Sequence, residues 1–211
     1  MNIENNIRQR GSENIWLDAA HAVLTESGVE AVKVMPLAKQ LGLTRTGFYW
    51  HFADRDALLE AMVRRWEEKN TGNLIKQTKA FSESITEAMF NLFDCWVDAE
   101  LFDSRLDLAI RNWARNEPGL QARLNKADKM RSAAVGAMFK KYGYSDAQAD
   151  ARSMSVMYTQ IGYISMQVSE NWDERIAKMP DYIEVFTGKV PALSEFERFK
   201  ARHAKHASDS P

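Results

Sequence analysis

Four histidines, one cysteine and a scattering of carboxylates are the residues of this 211-residue chain with catalytic or metal-binding potential. Nucleophilic or metal chemistry would need them clustered. His21, His51, His203 and His206 are spread along the chain, and Cys95 has no histidine near it in sequence. His203 and His206 share helical i,i+3 spacing, but they fall at a frayed end with no acid close in sequence. A single cysteine excludes an internal disulfide framework and a cysteine-based zinc site. There is no phosphate loop, dinucleotide motif or zinc signature. No cofactor is expected, and an enzyme would have to assemble its site across distant segments.

Composition narrows the field further. Hydrophobic residues make up 45% and charged residues 27%, the profile of a globular protein. No apolar run reaches the length of a membrane span, and residues 1–10 lack a signal-peptide core. A cytoplasmic protein with no membrane partner is expected. With 28 Lys+Arg against 29 Asp+Glu, the net charge is −1, so bulk charge gives no pointer to nucleic acid. Any such function must come from local sequence.

The elements are helical throughout. Only 10 Gly and 5 Pro interrupt the chain, while apolar residues recur at three- and four-residue spacing. Ile85, Met89, Leu92, Phe93 and Trp96 form one stripe; Met154, Met157, Tyr158 and Ile161 form another. The expected fold is all-α. Breakers and caps predict helices over about 12–27, 34–41, 45–52 and 55–72, one that starts after Ser84, and others over 104–116, 118–142, 146–170, 173–186 and 192–203. Ser84 with Glu87 spells a capping box, and Ser145 is a cap. The tail 207–211 reads as frayed.

Residues 37–44, Leu-Ala-Lys-Gln-Leu-Gly-Leu-Thr, have the grammar of a helix-turn-helix. Ala38 permits close helix approach, Gly42 can take the positive φ of the turn, and Thr44 can cap the second helix. Leu37, Leu41, Leu43 and Phe48 would form the shared core. Taken alone, the same pattern fits an ordinary helical hairpin equally well.

The longer series Gly28-Val29, Leu37-Ala38, Leu41-Gly42-Leu43-Thr44, Phe48-Tyr49-Trp50-His51-Phe52 and Asp54-Arg55-Asp56-Ala57-Leu58-Leu59 closely resembles the DNA-binding domain of the tetracycline-repressor (TetR) family, over about residues 12–65. Lys33 departs from the family's Ser or Thr, losing a cap and adding a cation; Arg55 stands where lysine is usual. The resemblance implies an N-terminal three-helix DNA-binding domain at 1–58, with its fourth helix continuing to about 73 as a connector. A C-terminal helical ligand-binding and dimerisation domain at 74–211 would follow. Support beyond residue 75 is weaker and rests on the Leu-Ala-Ile-Arg-Asn-Trp-Ala run at 108–114.

Given that resemblance, Arg45, Thr46 and Gly47 open a recognition helix. There Arg45 can meet guanine O6 and N7, Thr46 a thymine methyl, and Gly47 admits the backbone to the groove. The competing reading is a solvated helix surface. Tyr49 and His51 look like the family's phosphate-contacting positions. Trp50 stands between packing and the DNA edge, and Lys33 and Arg55 lie at helix N-termini suited to phosphate. Arg8 and Arg10 form a candidate arm. Residues 1–70 hold nine Lys+Arg and ten Asp+Glu, so the acids would have to face away from DNA.

In the C-terminal half, Met89, Phe93, Trp96, Trp113, Met154, Met157, Tyr158 and Ile161 are candidate walls of an apolar pocket; for each of them singly, plain core is the better reading. Arg111 needs a partner if buried, and Asp128 or Asp98 is available. The last helices are apolar on more than one face, which fits either a partner subunit or packing within the chain.

The expected function is a DNA-binding regulator: a dimeric repressor that binds a pseudo-palindromic operator in double-stranded DNA and is released by a small apolar or amphipathic effector. The alternative is a helical enzyme or carrier in which the helix-turn-helix is only structural.

Overall fold

The computed structural model describes residues 11–204. All its regular elements among those residues are helical. They are α1 (Glu13–Ser27), a 3₁₀ turn (Val29–Ala31), α2 (Val34–Leu41), α3 (Arg45–Phe48) and α4 (Arg55–Trp66). A π-helical stretch (Glu67–Gly72), α5 (Asn73–Thr78), α6 (Ile85–Val97) and α7 (Ser104–Ala114) follow. The chain ends in α8 (Pro118–Lys141), α9 (Asp146–Ser165), α10 (Trp172–Thr187) and α11 (Leu193–Arg202). Arg8, Arg10, His206 and the tail 207–211 lie outside the described residues. No described helix is long and apolar enough to cross a membrane.

The chain divides into two compact units. One holds residues 1–68 and 105–122, the other 69–104 and 123–211. The first division, at 68/69, falls inside the connector expected up to about residue 73, and the partition moves α7 with Trp113 into the first unit. Side-chain chemistry explains the move. Asp107 on α7 is 1% exposed and accepts hydrogen bonds from Trp66 Nε1 at 2.9 Å and from Arg111 Nε at 2.8 Å. Asp107, one helical turn back, is thus a partner of Arg111 that the sequence reading did not name. Asp128 faces Arg131 at 3.5 Å.

In the first unit, helix ends follow local chemistry. Ser12, Thr44 and Asp54 each accept a backbone N–H three residues on, capping α1, α3 and α4. Gly42 ends α2 in the left-handed region at φ 64°, and Gly28 ends α1 at φ 78°. A side chain at Gly42 would be strained there. The core gathers Trp16, Leu24, Val32, Leu37, Phe48 and Leu58, all 2% exposed or less.

In the second unit, α11 is latched onto α6. The Glu195 carboxylate accepts from Ser84 Oγ at 2.5 Å, Thr86 Oγ1 at 2.7 Å and Ala192 N–H at 2.9 Å. Phe199 packs on Phe90, with ring centroids 5.1 Å apart. Ser84 caps α6 as expected, but Glu87 reaches the N–H of Glu83 rather than that of Ser84. His203 is buried with Nε2 2.7 Å from Asp94 Oδ1, so the acid absent from the nearby sequence arrives from a residue 109 positions away. Burial pushes the Cys95 thiol up to about 12, with the Asp94 carboxylate adding to the shift. Such a thiol is inert at neutral pH. The last helices split their apolar residues: Ile183 and Phe186 are buried within the chain, while Tyr158, Tyr182 and Val185 are exposed.

The π-helical stretch was not legible in the sequence. Its Asn70 is fully buried and exchanges two 3.0 Å hydrogen bonds with the backbone of Asp103, while Thr71 accepts Arg131 Nε at 2.9 Å. Side-chain claims of this kind are what displace a regular α-helical ladder.

Replacing Asp107 by Leu leaves the Trp66 and Arg111 donors without their carboxylate. Urea unfolding should show a loss of about 3–5 kcal/mol, and Asp107→Asn, which keeps an acceptor, should lose less. Equal stability of Asp107→Leu and the parent chain would mean that this carboxylate does not hold α7.

Candidate nucleic-acid interface

The second helix of the helix-turn-helix is a single turn. α3 covers four residues, and the chain then continues through a tight turn in which His51 N–H and Phe52 N–H both bond to Phe48 carbonyl, at 2.9 and 3.1 Å. The expected helix to residue 52 is thus shorter, because Gly47 and the following aromatic run favour a turn. So short a helix has no stability of its own. It is held by the Phe48 ring, which is 0% exposed and meets Trp16 edge-on at 5.4 Å and Phe52 at 5.3 Å. Below it, Leu43 N–H bonds to Ala38 carbonyl at 2.9 Å, closing the turn after Gly42.

With Phe48 and Phe52 pointing inward, the intervening side chains face out. Thr44, Arg45, Thr46, Tyr49 and Trp50 are all exposed, Trp50 to 61%. Arg45 does not wave freely: its Nε and Nη2 donate to the Tyr49 hydroxyl at 3.4 and 3.1 Å, and its guanidinium lies 5.5 Å from the centre of the same ring. One helical turn thus presents a cation and an aromatic as a pair. Lys33 is exposed at the start of α2, where no side chain caps the helix, as the loss of Ser or Thr there predicts. Met35, 60% exposed, and Pro36 stand beside it in the first turn. The sequence offered no reason to select Met35; it is an apolar side chain in an amphipathic helix that fails to reach the core.

Three expected contacts take different places. Gly47 is buried, and its N–H is used by the Thr44 cap at 3.0 Å. His51 is half-buried, with Nε2 3.1 Å from Gly11 carbonyl. Arg55 is half-buried and donates from Nε to Val32 carbonyl and from Nη2 to Val29 carbonyl, each at 2.7 Å. It fastens the start of α4 to the end of the 3₁₀ turn, so its charge serves the domain before it serves any phosphate. That role escapes sequence reading because the acceptors are main-chain carbonyls 23 and 26 residues away.

The candidate effector residues do not share one wall. Met89 is core. Phe93 and Trp96 border a cleft formed with α9 and α10. Met154, Met157, Tyr158 and Ile161 border a separate hollow along α8 and α9. Trp113 lies in the other unit. A helical stripe fixes a face but not the neighbour that the face meets.

Comparison with known proteins agrees with this geometry. The profile of the family described as bacterial regulatory proteins, tetR family, matches residues 17–62, which run from α1 into α4. The tetracycline repressor protein class A from transposon 1721 of Escherichia coli is 35% identical over 57 residues, which are 27% of this chain and 26% of that protein. The chain thus aligns with about a quarter of this curated relative's length. Along nearly the whole chain the likeness is one of fold. A ketosteroid transcriptional regulator of Mycobacterium tuberculosis superposes with a TM-score of 0.59 at 13% identity, covering 94% of each chain. A fatty acid degradation regulator of Bacillus halodurans gives 0.60 at 16% identity, covering 84% of this chain and 95% of its own. A transcriptional regulator of Rhodococcus sp. Rha1 gives 0.58 at 18%, covering 91% and 97%. The N-terminal helices match the tetR family of bacterial regulatory proteins over residues 17–62, and the chain as a whole shares its fold with these solved regulators.

Because Arg55 is anchored and Lys33 is not, the two cations separate in a stability measurement. Arg55→Met removes two charge-assisted bonds and should lower unfolding free energy by about 1.5–3 kcal/mol. Lys33→Ala should stay within about 0.5 kcal/mol of the parent. Chemical denaturation followed by circular dichroism decides; equal effects would contradict the anchoring role.

Proposed function

We propose that this protein is a dimeric transcriptional repressor that holds a pseudo-palindromic DNA operator and releases it when a small apolar or amphipathic molecule binds its C-terminal helices. The observation that carries the DNA part is the exposed set Arg45, Thr46, Tyr49 and Trp50, raised on a turn whose alternate residues are core. Arg45 reads guanine through O6 and N7, and Thr46 offers its methyl to thymine. Tyr49 and Lys33 take phosphates, with the uncapped start of α2 adding free N–H groups. His51 and Arg55 act mainly by positioning. The family match over residues 17–62 supports this reading over the alternative of an enzyme or carrier.

One helix-turn-helix reads only a few base pairs, so specificity requires two copies on neighbouring turns of the duplex. The face of α8 and α9 that carries exposed Tyr158, Ala133 and Ala137 is the one we assign to a second copy, since small exposed residues admit close helix approach. Ligand and DNA each favour one of two dimer geometries, and each then weakens the other's binding by the same factor.

The test is fluorescence anisotropy with duplexes drawn from the DNA flanking the protein's own gene, alongside light scattering. Saturable binding to one duplex by a species of twice the chain mass is expected. Arg45→Ala should cost about 1–3 kcal/mol and relax preference at one position per half-site. Lys33→Ala should weaken all duplexes together and flatten the salt dependence. Binding of equal strength to every duplex, unchanged by Arg45→Ala, would overturn the repressor reading.

A further inference from the structure

The cleft bordered by α6, α9 and α10 has a chemical character that the sequence did not disclose. It leaves about 60 Å³ free, below the roughly 300–1,000 Å³ of occupied small-molecule sites, so a ligand that enters must part its walls. Its walls are mostly rings: Phe93 against Trp96 at 5.1 Å, Phe93 edge-on to Phe186 at 6.5 Å, and Tyr182 stacked on Phe186 at 6.1 Å and 20°. Stacked and edge-on rings at these spacings suit a further flat ring among them.

Two polar atoms in this wall stand out. Trp96 Nε1 and Gln160 Nε2 are both buried and find no hydrogen-bond acceptor among the described residues. A buried donor left unmet costs about 1–3 kcal/mol, and two in one cleft call for an acceptor that comes from outside the chain. The charged groups of the cleft are by contrast already engaged. Arg175 donates to Trp96 carbonyl and lies 5.4 Å from the Tyr163 ring centre. Glu170 accepts from the Tyr163 hydroxyl at 2.8 Å and pairs with Lys178. What remains for a ligand is a set of aromatic faces and two neutral N–H donors.

We infer that this cleft is the effector site and that its ligand is a flat, uncharged aromatic molecule carrying a carbonyl or ether oxygen, which accepts from Trp96 Nε1 and Gln160 Nε2 while its rings lie against Phe93, Tyr182 and Phe186. An anion finds no unengaged cation there, and a pure hydrocarbon leaves both donors unmet. The inference rests on the regulator reading only for the word effector; the site and its ligand class stand on the cleft alone.

The probe is Prodan, a neutral naphthyl ketone whose emission moves to the blue when it leaves water, set against dimethylaminonaphthalene, the same ring system without the ketone. Saturable, blue-shifted Prodan binding to the full chain is expected, with the ketone-free compound roughly tenfold weaker. Gln160→Leu and Trp96→Phe should each weaken Prodan about three- to tenfold and leave the ketone-free compound within twofold. In the parent chain, the indole N–H resonance that disappears in Trp96→Phe should shift on Prodan saturation, a readout that does not depend on how the variants fold. Absence of saturable binding, an unmoved Trp96 resonance, or an undiminished preference for Prodan in both variants would overturn the assignment. Operator affinity measured with and without Prodan is read separately: binding without any change in DNA affinity retains the site and defeats its role in release.

Discussion

A four-residue helix can be aimed at a partner only if something else holds it, and here that is the burial of one ring. Phe48 sits at the centre of the first unit, touching Trp16 on α1 and Phe52 beyond the turn. Around that ring every local device is consistent. Gly42 closes the preceding turn, Thr44 caps the helix, Asp54 caps the next one, and Arg55 draws the start of α4 onto the carbonyls of the 3₁₀ turn. Because Phe48 and Phe52 must go in, Arg45, Thr46, Tyr49 and Trp50 must go out. The exposed chemistry is a consequence of the core rather than an addition to it.

The same logic runs through the polar groups of the interior. Asp107, Glu195 and Asp94 are all nearly buried, and each is met by two or more donors or a histidine from a distant segment. Satisfied in this way, buried carboxylates fix how helices pair. Trp96 and Gln160 are the contrast in the second unit: both border the cleft, and their buried N–H groups meet no acceptor among the described residues.

How much was readable in the sequence follows from the range of each interaction. Caps at Ser12, Thr44, Ser84 and Ser145 were legible because a cap spans three residues, and helix ends at Gly28, Gly42 and Gly188 because the backbone there needs positive φ. The ordered aromatic and Asp-Arg-Asp blocks, equally local, carried the resemblance that the family match over residues 17–62 bears out. Illegible were the pairings that close over long loops: Arg55 with carbonyls 23 and 26 residues back, and His203 with Asp94 across 109. Even Arg111 with Asp107, one turn apart, was passed over, because burial decides which of several acids an arginine meets. The candidate effector residues divide in a related way. Met154, Met157, Tyr158 and Ile161 share a stripe, but that stripe faces away from the cleft that Phe93 and Trp96 border.

The central claim is that the side chains raised by Phe48 read a DNA sequence. Its most direct test is in vitro selection of duplexes from a random pool by the full chain, at a salt concentration where non-specific binding is weak. Enrichment of a single inverted repeat, with one guanine per half-site that loses its enrichment when the selection is repeated with Arg45→Ala, is the predicted result. A pool that stays random after repeated rounds with a folded, soluble chain would contradict the account.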